Sequence, residues 1–483
     1  MQDKRPCASN RAAPAAVDLP RRRLIQAALA AAGASTVGPG ALQAARSSTD
    51  EAQKEKAVND SKHTLVVVNP GHFHAALTLR KRHPRLSDDV YVYAEDGPDV
   101  ESFLRMVRTF NERSSQPTRW NLYVHRGADY MEKLRKDRAG DIAIVAGKND
   151  AKMRTIHELH GDGYFVLGDK PWLIGADELP MLSDAATTRP LAMDIMTERH
   201  EITMRVQKAL ADRPEVFGRF RTNGTDPAIQ MESVHHLYKI VNQRPLVRPA
   251  WFFDLAAQGE GITDVTTHLV DLSQWLTGGG KAFDYKRDME LMAARQWPTE
   301  VPRDVFARIT GLDDFPPAIR SAVSGDALQY LCNAQIDYRL RGVSARIVSL
   351  WNLAVPDKGG DTHYAILRGT QADLVIDQGP ETGFATRLSI RPASPGKGYE
   401  TKLADAVASL QPQFPGLAVE PDGQVYRVVI PKALRTTHEE HFAAVLEDFL
   451  GYIDRGQWPE NLGPDLVAKY TLLAHARQLS HQR

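Results

Sequence analysis

Between residues 63 and 195, short β-branched apolar runs alternate with stretches of helical spacing. No other feature constrains the fold as tightly. Thr64-Leu-Val-Val-Val68 has no polar alternation, so it reads as a strand buried on both faces. Asp89–Glu95, Asn121–Val124, Asp141–Ala146, Tyr164–Leu167 and Leu191–Asp194 read as five more strands. Helical patterns lie between them, at His74–Lys81, Pro98–Asn111 and Asn149–His160. Parallel neighbours need helical crossovers, so this order predicts an α/β domain with a doubly wound parallel sheet.

Beyond residue 196 the pattern changes to α+β. Val216–Arg221, Ala334–Arg339, Val343–Trp351, His363–Arg368, Ala372–Ile376, Arg387–Arg391 and Gln424–Ile430 read as strands of an open, mostly antiparallel sheet. Residues 281–325 are rich in proline and charge and read as an insertion. His438–His481 has helical spacing and is expected to pack back on the second sheet or on the first domain. The expected division is 63–195 and 196–483.

The start of the chain sets a compartment. Arg21-Arg22-Arg23-Leu24-Ile25 precedes an uncharged, Ala-rich stretch ending at Ala45. A basic start, a modestly apolar middle and small residues predict an export signal over 1–46. Paired arginines followed by Leu and Ile predict the twin-arginine type and a periplasmic location. That stretch is too short and too weakly apolar to span a bilayer, and nothing later is long enough. A polar linker covers 47–62. The two cysteines, Cys7 and Cys332, are separated by signal removal, so no disulfide is expected. The 60 basic and 60 acidic side chains cancel, which removes the electrostatic ground for nucleic-acid binding.

The turn after the first strand reads Asn69-Pro70-Gly71-His72-Phe73-His74, where a dinucleotide fingerprint would read G-x-G-x-x-G. Only the middle glycine is present, the one that lets backbone approach a pyrophosphate. Asn69 tolerates some glycine-like conformations, whereas His74 cannot imitate a glycine that permits close helix packing. Glu95 ends the second strand, where an acid bonds a ribose 2′-hydroxyl and repels a 2′-phosphate, so NAD is expected over NADP. Asp96 is the neighbouring choice. Asn149 follows the fourth strand as a ribose neighbour or as a helix cap.

The fifth strand delivers Phe165-Val-Leu-Gly-Asp-Lys-Pro-Trp172, with Asp169 and Lys170 at its end and a proline that forces the chain out. A second constellation follows: Trp251-Phe-Phe-Asp254, Gln258-Gly-Glu-Gly261, and Asp264, His268 and Asp271 at i, i+4 and i+7 on one helical face. Asp264 would orient the His268 ring, or else merely cap the helix above an interior histidine. Together these motifs resemble the glucose–fructose oxidoreductase/inositol dehydrogenase family (Gfo/Idh/MocA), in the subgroup with an extended C-terminal domain. That family carries Glu-Lys-Pro after the fifth strand, where Asp169 replaces the glutamate here.

The resemblance implies a Rossmann domain whose cofactor meets Asn69, Gly71, His72, Phe73, His74, Glu95, Asn149, Asp169 and Lys170. The second sheet would cover the nicotinamide end and mediate homo-oligomers. It also implies catalysis by Lys170 and His268 with Asp264, and substrate contacts from Arg199, His235, Trp251 and Asp271. Burial and the cationic oxidised nicotinamide are expected to lower the Lys170 pKa, with His268 as general base and Lys170 polarising the same hydroxyl, or those two roles reversed. No metal-ligand spacing stands out; His438-Glu-Glu-His441 lacks the H-E-x-x-H interval. The expected activity is NAD-dependent hydride transfer from a sugar, polyol or glycoside. The cofactor would stay bound, because a periplasm holds no steady pool of it. Two alternatives stand beside this: glycoside cleavage through transient C3 oxidation and elimination, and cofactor-free carbohydrate binding. The expected partners are the carbohydrate and the twin-arginine export machinery.

Overall fold

The computed structural model describes residues 62–241, 244–355 and 359–482. The expected export signal, with Cys7, lies outside the described residues, as does the linker apart from Lys62.

Six strands form the first sheet: β1 His63–Val68, β2 Leu86–Ala94, β3 Asn121–Arg126, β4 Ile142–Val145, β5 Phe165–Gly168 and β6 Ala192–Asp194. Their order is β3-β2-β1-β4-β5-β6, and every pair is parallel. This is the doubly wound arrangement the alternation predicts. The order reverses between β1 and β4, which opens a crevice at their carboxyl ends, where such sheets bind ligands.

The helix after β1, α1 His74–Leu77, has four residues, so the expected run to Lys81 stops a turn early. Then follow α2 Pro98–Glu112, α3 Tyr130–Asp137 and α4 Lys152–Gly161. Beyond them come α5 Thr266–Gly278, α6 His438–Arg455 and α7 Leu462–Ser480. So short an α1 leaves one face of β1 and β2 bare. The distant α6 fills it: Phe442, Val445, Leu446, Phe449 and Leu450 pack with Leu65, Val67, Val90 and Val92. The other face of β1 shares a continuous core with the second sheet, joining Val66, Val68, Met153 and Ile156 to Ile229, Ile336, Ile347 and Leu472.

The second sheet has ten strands. Nine run in one path: β7 Ile229–Tyr238, β8 Met289–Pro302, β9 Ala327–Leu340, β10 Val343–Ala354, β11 Thr362–Arg368, β12 Ala372–Gln378, β13 Arg387–Pro392, β14 Ala418–Asp422 and β15 Val425–Val429. Their order is β8-β9-β10-β7-β11-β12-β13-β15-β14, antiparallel except where β7 meets β10.

Three expectations need correction. Val216–Arg221 is not a strand; only Phe220 makes a bridge, to Gly369. The strand β7 was not anticipated, because its alternation slips at His235-His236. The stretch 281–325 is not a plain insertion, since β8 within it pairs along its length with β9. The charges of β8 (Glu290, Arg295, Glu300) suit an edge strand, which avoids stray pairing by carrying them, and they hid the strand in the sequence. No helix among the described residues is long and apolar enough to cross a membrane.

Candidate active site

The turn after β1 is stitched to the end of β4. The N–H groups of Gly71 and His72 both donate to the Ala146 carbonyl, at 3.0 and 2.9 Å. Asn69 takes a left-handed φ of 42°, and its Oδ1 accepts from the Glu95 N–H at 3.3 Å. Gly147 makes the approach possible: a Cβ there would stand 2.4 Å from the Asn69 carbonyl oxygen. The N–H groups of Phe73 and His74 have no hydrogen-bond partner among the described residues, so two donors stand free at this turn.

A Cβ on Gly71 would lie 3.4 Å from Asp99, Gly147 and Trp251 alike. Trp251 itself donates from Nε1 to Asp99 Oδ2 at 2.9 Å. Glu95 is exposed at the end of β2, and the nearby Arg126 is occupied by Glu101 and Asp96. Free amides, a glycine slot and an uncompensated acid at the β2 end are donors and acceptors that fit a dinucleotide. His74 is tolerated where the fingerprint has its third glycine because α1 is too short to pack there. Its ring lies against Phe442 of α6 instead, 4.6 Å between centroids.

At the end of β5, the buried Asp169 receives both histidines of the turn: His72 Nδ1 at 2.9 Å and His74 Nδ1 at 2.8 Å. Burial pushes the His74 imidazole down to about 3, so it is neutral. Burial also works to raise the Asp169 carboxyl, but the two imidazoles outweigh it and hold it well below the usual carboxylate range.

Lys170 Nζ lies 2.5 Å from Asp264 Oδ1, with both side chains largely buried. Burial opposes each charge and is overcome in each case. Asp264 and Asp169 raise the lysine, and Lys170 lowers Asp264. The expected lowering of Lys170 is therefore reversed: it is a firm ammonium beside a firm carboxylate. Asp264 does not orient His268 as expected, nor does it cap α5, whose N-cap is Val265. The His268 Nδ1 is buried without a hydrogen-bond partner among the described residues. Burial first, then the charge of Lys170, hold His268 well below its ordinary value, so it is a neutral base.

The remaining expected residues scatter. Asn149 caps nothing: its side chain donates to the Gln258 carbonyl at 2.7 Å and accepts from Lys152 Nζ at 2.6 Å. His235 bonds Ser233 Oγ at 2.9 Å, stands 3.4 Å from Asp361, and is close enough to Asp264 to help lower its pKa. Trp251 stands by Gly71 of the turn after β1 rather than by Lys170. Arg199 and Asp271 form a two-bond ion pair at 2.6 and 2.7 Å. Lys469 completes that cluster, 2.8 Å from Asp271 and 2.7 Å from Asp194.

Sequence reasoning missed Lys152, Asp361, Lys469 and the convergence of His72, His74 and Asp169. For Lys152 a signal existed, since it occupies the first position of the apolar stripe Lys152, Ile156, Leu159 on α4.

Comparison with known proteins agrees with this architecture. No curated protein matches the chain. Among solved structures, "a putative oxidoreductase from Parabacteroides merdae ATCC 43184" is 38% identical, with a TM-score of 0.85 over 88% of this chain and 99% of that one. A levoglucosan dehydrogenase in complex with NADH and L-sorbose is 13% identical, with a TM-score of 0.55 over 87% of this chain and 97% of that one. KijD10, a 3-ketoreductase from Actinomadura kijaniata in complex with NADP and TDP-benzene, is 13% identical, with a TM-score of 0.52 over 87% and 98%. These last two share the fold. A family model described as "Putative oxidoreductase C terminal domain" matches residues 206–481, and the chain belongs to that family.

Proposed function

We propose that this chain is an exported NAD-dependent oxidoreductase of the Gfo/Idh/MocA type that oxidises a secondary hydroxyl of a sugar, polyol or glycoside. One observation carries the reading. An ionised Lys170–Asp264 pair stands at the carboxyl end of β5, on the crevice side of a doubly wound sheet. Carbohydrate is the favoured substrate class because proteins of the same fold are named for sugars, levoglucosan dehydrogenase among them.

Phe73 and His74 would hold the dinucleotide by their free amides, Gly71 by its missing side chain and Glu95 by its carboxylate. When bound, the nicotinamide supplies a hydride acceptor. The residues of the chain handle the proton. Asp264 and Asp169 favour the ammonium of Lys170, so it donates a hydrogen bond to the substrate oxygen and keeps that bond as the oxygen becomes a carbonyl. The neutral His268 is left to accept the hydroxyl proton. Asp264 fixes the Lys170 ammonium and balances its charge in a buried setting.

Export rests on Arg21 and Arg22 ahead of the Ala-rich stretch. Replacing both by lysine is expected to leave the chain in the cytoplasm, and normal export of that variant would end the twin-arginine proposal. The chemical reading is tested by single-turnover reduction of bound nicotinamide with a panel of sugars and glycosides. Reduction by at least one of them is expected, and none by any contradicts it. Free aglycone without net reduction would select the elimination route over simple dehydrogenation.

A further inference from the structure

We infer that His72, His74 and Asp169 form a binding site for a divalent transition-metal ion of the zinc class. The inference does not rest on nicotinamide chemistry. The three side chains come from two loops 95 residues apart in sequence and meet at the carboxyl end of the first sheet. Their ligating atoms all lie within 4.8 Å of one another. Metal–ligand bonds of about 2.0–2.2 Å place neighbouring ligand atoms about 2.8–3.6 Å apart at right-angled to tetrahedral geometry. The two nitrogen–oxygen separations, each to a different oxygen of Asp169, are 2.9 and 2.8 Å and already fall in that range. The whole set has to close from within 4.8 Å to that range when an ion binds.

The chemistry of the donors points the same way. Two imidazoles and one carboxylate are the ligand set of zinc and of non-haem iron sites with open positions. Asp169 directs one oxygen to each ring, and both rings turn Nδ1 toward it. As a plain hydrogen-bonded tie, two Nδ1–H groups converge on one buried carboxylate. An ion takes the place of those two protons, each imidazole shifting its hydrogen to Nε2, so no proton need be lost.

Burial and charge allow it. Asp169 and His74 are buried, while the His72 side chain is 28% exposed and leaves an entry path. The His74 ring is clamped by Phe442, which fixes the ligand's orientation. The ammonium of the adjacent Lys170 bonds Asp264 rather than Asp169.

The test uses the full chain without an affinity tag, stripped with chelator and then titrated with Co²⁺ alone. Visible absorption follows binding, and Zn²⁺ is added in competition. The expected result is one equivalent bound, with affinity reduced in His72→Ala and His74→Ala by at least the roughly 10–100-fold that loss of an outer-shell partner costs. His157→Ala, at a partly exposed histidine on α4 paired with Asp184, should bind as the parent does. His72 is the more exposed of the two, so its variant decides the matter if His74→Ala does not fold; circular dichroism establishes which do. No stoichiometric site in the parent chain, or unchanged affinity in a folded His72→Ala, overturns the assignment.

Discussion

Lys152 offers a sharp test of the electrostatics behind the site. It is 2% exposed, and among the described residues its ammonium has one hydrogen-bond acceptor, Asn149 Oδ1 at 2.6 Å. Burial pushes it down from the ordinary 10.5 to about 8. At 1.36 kcal/mol per pH unit, that gap is a penalty of about 3 kcal/mol for holding the proton in the folded chain. The sign follows from proton binding. Below pH 8 both states are protonated and the penalty is fully present. Between about pH 8 and 10.5 the unfolded chain binds more protons, so stability rises as pH rises. Lys152→Met removes the penalty and leaves the buried Asn149 Oδ1 without that donor, a loss of about 1–3 kcal/mol. The variant is therefore expected to be more stable than the parent by up to about 2 kcal/mol at neutral pH, the difference of those two terms. Its advantage should shrink and then reverse as pH approaches 10.5. Urea denaturation followed by circular dichroism at several pH values measures this. A methionine variant that is less stable at neutral pH, by an amount that does not change with pH, refutes the reasoning.

Other perturbations separate chemistry from architecture. Lys170→Met and His268→Gln should each slow single-turnover reduction by about 10²–10⁴-fold while nucleotide stays bound; a parental rate in either removes that residue from the mechanism. Gly147→Ala puts a methyl group 2.4 Å from the Asn69 carbonyl, so it should cost about 1–3 kcal/mol and displace the Phe73–His74 amides, read as lower stability and lower nucleotide occupancy together. Asp271→Asn strands Arg199 and leaves Lys469 with Asp194 as its remaining carboxylate, and should destabilise by about 3–5 kcal/mol in thermal denaturation, far more than a surface pair would.

The first sheet was legible because a strand buried on both faces must be apolar throughout, and the runs at Val66–Val68 and Ile142–Val145 are. The strand-end lysine was legible for the same reason, being the first charge to interrupt such a run apart from Asp169. What the sequence hid was set by contacts across the fold. The partner of Asp264 is Lys170 rather than His268, a choice made by packing between chain segments 94 residues apart. The shortness of α1 is compensated by α6, some 360 residues later, which no local pattern announces. Arg199 was expected at a substrate contact because it follows the sixth strand, and what no local pattern announced is the ion cluster it forms with Asp271, Lys469 and Asp194. The direction of the Lys170 pKa failed for a related reason: burial alone lowers a lysine, and two carboxylates brought in by the fold overrule it.

The central claim is a nicotinamide dinucleotide held at the turn after β1, within reach of Lys170. The most direct test is the nucleotide released when the purified chain is denatured, identified by mass and absorbance. About one equivalent of NAD or NADH per chain is the predicted result, with Gly71→Val yielding none. A parent chain that releases no dinucleotide, and binds none when NAD or NADH is supplied, contradicts the account and returns the protein to a carbohydrate-binding role.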